Sequence, residues 1–307
     1  MLHDKLNPDV LSNKPIGFIG LGAMGGGMVK NFLKQNLTVL AYDISTNVKE
    51  EYTQLGAIFE ESPAVIASKV NRLFLCLPFG QEVESVLLGS NGVTASNNSG
   101  LMVVDTSTLY SQDSIKFQLE LKKYGISYND CPVSGLPHKA NDGSLTTMFG
   151  GTKEEFQLLN PYLKIIGDFI LHCGPVGSGQ MMKAFNNVLY NINIAGLSEI
   201  FSIAIKSGLD PNAVQQLLVS GSCKSFASEY FVPKMVNRVF TGDYKMVAAL
   251  KDIENVKNTT EKLNIDTPMF SSMIKTYMEA IEMGFGKESK SAMLKVYEEK
   301  LGHSLKN

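Results

Sequence analysis

Residues 16–43 carry the feature that most restricts how this chain can fold. Ile16-Gly17-Phe18-Ile19-Gly20 is a short apolar run ending in glycine, and Gly20-Leu21-Gly22-Ala23-Met24-Gly25 follows at once. Met28, Val29, Phe32 and Leu33 then recur at helical spacing, and Leu37-Thr38-Val39-Leu40-Ala41-Tyr42 reads as a strand that ends at Asp43. A G-x-G-x-x-G thus lies between a strand and a helix, with a carboxylate at the end of the next strand. Each glycine has its own steric task. Gly20 allows the tight turn, Gly22 lets the backbone come close to a phosphate, and Gly25 lets the helix pack on the strand. The helix start offers N–H groups and positive potential to a pyrophosphate. An ordinary glycine-rich turn needs no acid after the second strand. The whole set therefore points to a dinucleotide held by Gly20, Leu21, Gly22, Ala23, Met24 and Gly25. Asp43 would accept from the adenosine ribose hydroxyls. No Lys or Arg stands in Ile44-Ser45-Thr46-Asn47 to meet a 2′-phosphate, which favours NAD over NADP. The glycine pattern by itself also fits a flavin or another adenosine cofactor.

The alternation continues. Strands are expected at 71–77, 101–105, 126–130, 145–149 and 169–172, and helices at 81–88, 112–124 and 153–164. Repeated strand–helix units imply a mainly parallel sheet, with ligands at the carboxyl ends of its strands. Those ends carry Gly20–Gly25, Leu77-Pro78 and Thr106-Ser107-Thr108. The last two taken alone read better as plain turns. Beyond residue 207 strand signals fade, and helices fit 210–219, 248–263, 269–283 and 289–301. The fold class is an α/β Rossmann-type N-terminal domain plus an all-α C-terminal domain. We divide the chain into a dinucleotide-binding domain (1–176), a long interdomain helix (177–206) and an all-helical domain (207–307).

That helix opens on Gly177-Ser178-Gly179-Gln180. Met182, Phe185, Leu189, Ile192, Ile194, Ala195, Leu197, Ile200, Ile203 and Ala204 give it apolar residues over much of its circumference, which predicts burial. Lys183 and Asn187 are four apart and share one face near its start. A lysine and an amide so placed could handle a hydroxyl or carbonyl, Lys183 as acid/base and Asn187 positioning its partner. A solvated lysine beside a capping amide is the plainer reading of such a pair in isolation. The dinucleotide fingerprint upstream reverses that preference.

Composition excludes other classes. The 307 residues suffice for two domains with ample cores, and the net charge of −2 comes without a basic stripe, so nucleic acid is not expected. Cys76, Cys131, Cys173 and Cys223 are far apart in sequence and form no metal or redox motif, which fits a reducing compartment, and the cytoplasm is expected. Residues 1–15 contain Asp4, Pro8 and Asp9 and lack both the apolar run of a secretory signal and the Arg-rich character of a transit peptide. No uninterrupted apolar run reaches membrane-spanning length. No metal is expected, since His138 and His172 are isolated.

Taken together, these motifs resemble the β-hydroxyacid dehydrogenase family, the group of 3-hydroxyisobutyrate dehydrogenase and tartronate semialdehyde reductase. The resemblance runs from Ile16 to about Leu301 through four motifs in order. These are Gly17–Gly25, then Asp130-Cys131-Pro132-Val133-Ser134-Gly135 with Ala140, Gly143 and Leu145. Gly177-Ser178-Gly179-Gln180 with Lys183 and Asn187 comes next, and Lys251-Asp252 is the fourth. The resemblance implies that Lys183 is the general acid/base and Asn187 its neighbouring amide. It implies that Ser134 and Gly135 hold the substrate carboxylate, that Thr108 lies close to nicotinamide and substrate, and that Leu77, Pro78 and Lys251 touch the cofactor. It further implies an NAD-dependent dehydrogenase of small β-hydroxy acids, and the apolar long helix with the small helical domain predicts a homodimer or homotetramer. Two alternatives stand beside it, an NADPH-dependent aldehyde-acid reductase and a catalytically silent dinucleotide-binding scaffold. Three positions depart from the family pattern. Leu136 stands where a second glycine is usual in the substrate loop, Tyr244 where Phe is usual, and Ser289 where Asp is usual. They bear on which acid is preferred.

Overall fold

The computed structural model describes residues 14–242 and 245–304. The reading of residues 1–15 therefore falls almost wholly outside the described residues, as does Tyr244. The chain divides into two compact units, with the boundary between Lys183 and Ala184.

In the first unit strands and helices alternate as the sequence predicts: β1 (Ile16–Ile19), α1 (Gly25–Lys34), β2 (Val39–Tyr42), α2 (Asn47–Gln54), β3 (Ile58–Phe59), α3 (Pro63–Lys69), β4 (Arg72–Leu75), α4 (Gly80–Leu88), β5 (Met102–Asp105), α5 (Ser111–Lys122) and β6 (Ser127–Asp130). Then come β7 (Val133–Ser134), α6 (Pro137–Asp142), β8 (Leu145–Gly150), α7 (Lys153–Ile166) and β9 (Gly167–Gly174). The strand order is β3-β2-β1-β4-β5-β6-β8-β7, with β9 paired to β8. All pairs from β3 to β6 are parallel, and β8 runs antiparallel to β6 and β7. The order reverses between β1 and β4, and that switch point opens a crevice at their carboxyl ends.

Side-chain alternation along each strand sends residues to both faces of the sheet. Phe18, Phe74 and Val104 join Met28, Val29, Phe32, Leu159 and Leu163 in one core. Their neighbours Ile19, Leu73, Leu75 and Val103 join Ile66, Val83, Leu87 and Phe117 in the other. The rings of Phe18, Phe32 and Phe74 stand 5.1–6.3 Å apart beneath the glycine turn. The short elements α2, β3 and α3 were not expected from periodicity. Seven and eight residues give helices too few turns to display a stripe.

The helix α8 (Ser178–Lys206) crosses the unit boundary. The second unit continues with α9 (Pro211–Ser220), α10 (Phe226–Val236), α11 (Leu250–Leu263), α12 (Pro268–Glu282) and α13 (Met293–Leu301). Helix α10 lies where periodicity predicts no element; it has Pro233 inside it and is held at its start by a reciprocal Ser225–Ser228 capping box. The predicted helix at 289–301 begins later, because Lys290–Ala292 form a 3-10 turn before α13. Ala184, Val188, Ile194, Ala195, Leu197 and Phe201 pack with Phe231, Val232, Ile253, Tyr277 and Met293 in the core. Burial of α8 is thus one-sided, which corrects the expectation. Met182, Phe185, Leu189, Ile200 and Ile203 are 41–60% exposed. By length and composition α8 could cross a membrane. Its inner side carries buried Asn191, Ser198 and Ser202 within the unit's core, as a core helix does.

Candidate active site

The glycine turn has the steric logic its spacing implies. Gly20 adopts φ +95°, and a Cβ there would overlap the carbonyl oxygen of Cys76 beyond β4. A Cβ on Gly25 would overlap the carbonyl oxygen of Gly20, so the third glycine lets α1 close onto the first. At Gly22 a Cβ meets no protein atom within 4 Å. The second glycine therefore faces open space, as a backbone that approaches a phosphate must. Gly22 and Ala23 are exposed, and α1 starts with no side-chain cap and no acid in its first turn. Its N–H groups and positive end suit a pyrophosphate. Asp43 ties β2 to this turn. Its Oδ2 accepts from Leu21 N at 2.6 Å and its Oδ1 from Ser45 N at 2.7 Å. A carboxylate has about four lone-pair sites, so capacity for ribose hydroxyls remains.

The neighbouring strand ends are bound together. Leu77 N donates to Ser107 Oγ at 2.8 Å, and Ser107 N donates to Asp105 Oδ1 at 2.9 Å. Asp105 is fully buried and its Oδ2 accepts from Tyr128 OH at 2.8 Å. Burial pushes the Asp105 carboxyl up, and the bonds from Ser107 and Tyr128 pull it back. Thr108 follows Ser107 and is half-buried, whereas Pro78 is exposed.

The start of α8 is anchored to the same region. Gly177 takes φ +92°. Asp130 at the end of β6 accepts from Gly177 N at 2.6 Å through Oδ1 and from Gln180 N at 2.8 Å through Oδ2. Burial pushes the Asp130 carboxyl up to about 7 against the opposite pull of these N–H groups. The side chain of Gln180 is buried and bridges to the β5 end. Its Oε1 accepts from Leu109 N at 3.0 Å, and its Nε2 donates to the Ser107 carbonyl at 2.8 Å. Lys183 is half-buried, one helical turn beyond Gln180.

On the remaining loop Ser134 ends β7, paired to Thr146 of β8. Gly135 takes φ +144°, and a Cβ there would stand 2.8 Å from Leu145 Cδ2. Leu136 is half-buried and leads into α6 with the extended backbone that a following proline requires.

The second unit holds the other expected residues. Asn187 Nδ2 donates to Asp252 Oδ2 at 2.8 Å, and Asn187 Oδ1 accepts from Asn186 Nδ2 at 3.1 Å. One turn on, buried Asn191 Oδ1 accepts from Lys290 Nζ at 2.8 Å and from Tyr277 OH at 3.0 Å. Lys251 precedes Asp252 on α11, and burial lowers its pKa. Among the described residues no group of three or more His, Cys, Asp or Glu could hold a metal. His172 stacks on Phe156 and lies 2.8 Å from the Gly151 carbonyl through Nε2, a structural setting.

The first unit thus assembles the glycine turn, Asp43, Leu77, the Thr108 segment and Lys183 through unbroken contacts. Ser107, Gln180 and the Asp130 anchor had no assigned role in the sequence reading, and neither had the hold of Asp252 on Asn187. The two glycines before Gln180 are the available signal for the Asp130 anchor, Gly177 for its positive φ and Gly179 for a close approach.

A mainly parallel sheet with a glycine turn at its switch point, and a lysine one helical turn beyond a glutamine tied to the adjoining strand end, is the framework of a dinucleotide-dependent oxidoreductase. Residues 15–174 match the model of the NAD binding domain of 6-phosphogluconate dehydrogenase. Residues 177–297 match the model described as NAD-binding of NADP-dependent 3-hydroxyisobutyrate dehydrogenase. The chain is 34% identical to 2-(hydroxymethyl)glutarate dehydrogenase of Eubacterium barkeri, over 94% of this chain and 97% of that one. It is 30% identical to mitochondrial 3-hydroxyisobutyrate dehydrogenase of Mus musculus, over 94% and 88%. The crystal structure of 3-hydroxyisobutyrate dehydrogenase from Salmonella typhimurium superposes with a TM-score of 0.82 at 25% identity, covering 92% of this chain and 99% of that one. The chain belongs to the β-hydroxyacid dehydrogenase family and is an NAD(P)-dependent oxidoreductase acting on the CH–OH group of hydroxy acids.

Proposed function

We propose that this enzyme uses NAD to oxidise a small acid bearing a primary alcohol on the carbon next to the carboxylate-bearing carbon, with Lys183 as the general base. The observation that carries the reading is the continuous set of contacts from the glycine turn through Cys76, Leu77, Ser107 and Gln180 to the helix of Lys183. The names of the two relatives support the substrate class. 2-(Hydroxymethyl)glutarate and 3-hydroxyisobutyrate share the unit HOCH2–CH(R)–COOH and differ in R.

NAD, when bound, would supply the acceptor for the hydride of the alcohol carbon. The chain must take the proton from the hydroxyl, and the Lys183 amine is the base for it, becoming an ammonium as the carbonyl forms. In the reverse direction the ammonium returns that proton. Asn187, one turn along and braced by Asp252, orients the hydroxyl. The backbone of Ser134 and Gly135 receives the carboxylate, with Leu136 beside it. Asp43 receives the adenosine ribose, and its negative charge disfavours a 2′-phosphate there, which supports NAD over NADP. Lys251 is assigned to cofactor contact on the family motif, as are Leu77 and Pro78.

The apolar residues exposed along α8 support assembly of the enzyme as a homodimer or homotetramer, testable by sedimentation. The four unpaired thiols support a reducing, cytoplasmic setting.

The test is a panel of 3-hydroxyisobutyrate, 2-(hydroxymethyl)glutarate and 3-hydroxypropionate with NAD and NADP, followed by absorbance of the reduced nicotinamide. Lys183→Ala is expected to lower turnover on the best acid by about 100-fold or more, the usual scale for a general acid/base. NAD affinity should be unchanged, because the phosphates are held by the Gly20–Gly25 turn. Near-normal turnover in that variant would return Lys183 to a structural role.

A further inference from the structure

Gln180 lies within the third motif, yet the reaction as described assigns it no part. It is 1% exposed, and both polar ends of its side chain are used on main-chain groups. The acceptor bonds Leu109 N and the donor bonds the Ser107 carbonyl, so the two contacts fall on either side of Thr108. Its own backbone N–H is held by Asp130. The residue therefore joins three fixed points, namely the end of β6, the segment after β5 and the first turn of α8. Ser107 extends the connection to Leu77 through its hydroxyl.

We propose that Gln180 is a positioning residue for this reaction, its carboxamide holding Thr108 at a set place against the helix turn that carries Lys183. The inference rests on Lys183 being the base. The chemistry selects an amide. One planar group must give a donor to a carbonyl and an acceptor to an N–H, and of the side chains of this length glutamine alone offers both without first taking up a proton. Turning the amide over would set oxygen against oxygen and NH2 against N–H, so a single orientation satisfies the site. That orientation fixes the distance between the Thr108 segment and α8. Gln180 touches neither substrate nor hydride. It acts through Thr108 and through the helix of Lys183.

The test compares Gln180→Ala and Gln180→Glu with wild type on the best acid of the panel with NAD, across a range of pH. Gln180→Ala should lower kcat about 10- to 100-fold, the scale of a misplacement near 1 Å, and leave the NAD dissociation constant unchanged. Gln180→Glu keeps an acceptor for Leu109 N but, when ionised, sets a charged oxygen against the Ser107 carbonyl. Burial raises the pKa of such a carboxyl, and protonation restores a donor. The ratio of its kcat to that of wild type should therefore rise as pH falls, while the ratio for Gln180→Ala stays flat. The titratable groups facing this position are Asp130, Asp105 through Ser107, and Lys183 on the same helix. They cancel in the ratio for Gln180→Ala, whereas in Gln180→Glu the neighbouring Asp130 adds to the burial that raises the pKa of the new carboxyl, in the same direction as the expected trend. A folded Gln180→Ala with wild-type kcat, or a flat ratio for Gln180→Glu, would overturn the proposal. Should Gln180→Ala fail to fold, the Gln180→Glu ratio decides. Full turnover in Lys183→Ala overturns the assignment of the base instead, so the two failures are told apart.

Discussion

Replacing Gly179 by alanine should disable the enzyme without touching any group that meets substrate. A Cβ at Gly179 would overlap the carbonyl oxygen of Met148 and would stand 2.8 Å from Asp130 Oδ2 and 3.1 Å from Pro132 Cδ. Met148 belongs to β8, which is hydrogen-bonded to β7 and β9, so its carbonyl cannot withdraw. The start of α8 must yield. Restoring ordinary carbon–oxygen separations of roughly 3.3 Å requires a shift near 1 Å, and a misplacement of that size costs on the order of 100-fold in turnover. The same shift stretches the bonds from Gly177 N and Gln180 N to the Asp130 carboxylate. Hydrogen bonds to a charged group contribute about 1.5–3 kcal/mol each, so a loss of about 3 kcal/mol of stability should accompany the loss of rate. Gly196→Ala is the control. It lies on the same helix, is exposed, and its added Cβ meets nothing within 4 Å. It should gain about 0.5–1 kcal/mol from the better helix former and keep full turnover, with its oligomeric state checked by sedimentation because Gly196 shares the exposed face of Leu189 and Ile200. The assay is steady-state kcat with NAD, thermal unfolding, and NAD binding by fluorescence. A Gly179→Ala enzyme with wild-type kcat and melting temperature would refute the reasoning, since the overlap would then have been absorbed without moving α8.

Two further outcomes are expected. Asp43→Asn should relax the preference for NAD while also weakening the turn that Asp43 braces through Leu21, and a wild-type enzyme with higher kcat/KM for NADP would remove the basis for the preference. Leu136→Gly should raise kcat/KM for branched or bulkier hydroxy acids relative to 3-hydroxypropionate, with 3-hydroxyisobutyrate not the preferred acid of the wild type. A variant that melts earlier and leaves the ranking of acids intact would mean that Leu136 serves packing alone.

The dinucleotide half of the fold was legible because its signals are local. A glycine turn, two flanking periodicities and Asp43 all fall within 16–43, and each structural element they imply is present. The long helix was legible for the same reason, with 177–206 expected and Ser178–Lys206 found. Its degree of burial was not, since Leu189 and Ile200 look the same in sequence whether a core or another surface covers them. Helix α10 escaped notice because Pro233 reads as a breaker, and the tertiary packing of Phe231, Val232 and Met235 outweighs it. Lys183 and Asn187 are proposed for the site from the dinucleotide fingerprint and the family motif, because their four-residue spacing alone also describes a solvated pair on a helix face. The bonds of Gln180 to Ser107 and Leu109 span 73 and 71 residues, and side-chain bonds to a distant main chain leave no periodic trace.

Helix α8 also acts as a ruler. Between Gln180 and Asn191 it carries, in succession, a residue tied to Ser107, the lysine at the unit boundary, an amide tied to Asp252 and an amide tied to Tyr277 and Lys290. Each added residue turns everything beyond it by about 100° and advances it about 1.5 Å. A one-residue insertion or deletion between Asn187 and Asn191 would break the helix phase, so that Asn187 could no longer meet Asp252 while Asn191 meets Tyr277 and Lys290, however conservative the residue. Homologous chains should therefore vary in length at the loops around α9 and α10 while the count of residues from Asn187 to Asn191 stays constant. Drift in this protein is free in composition along much of the helix and forbidden in length.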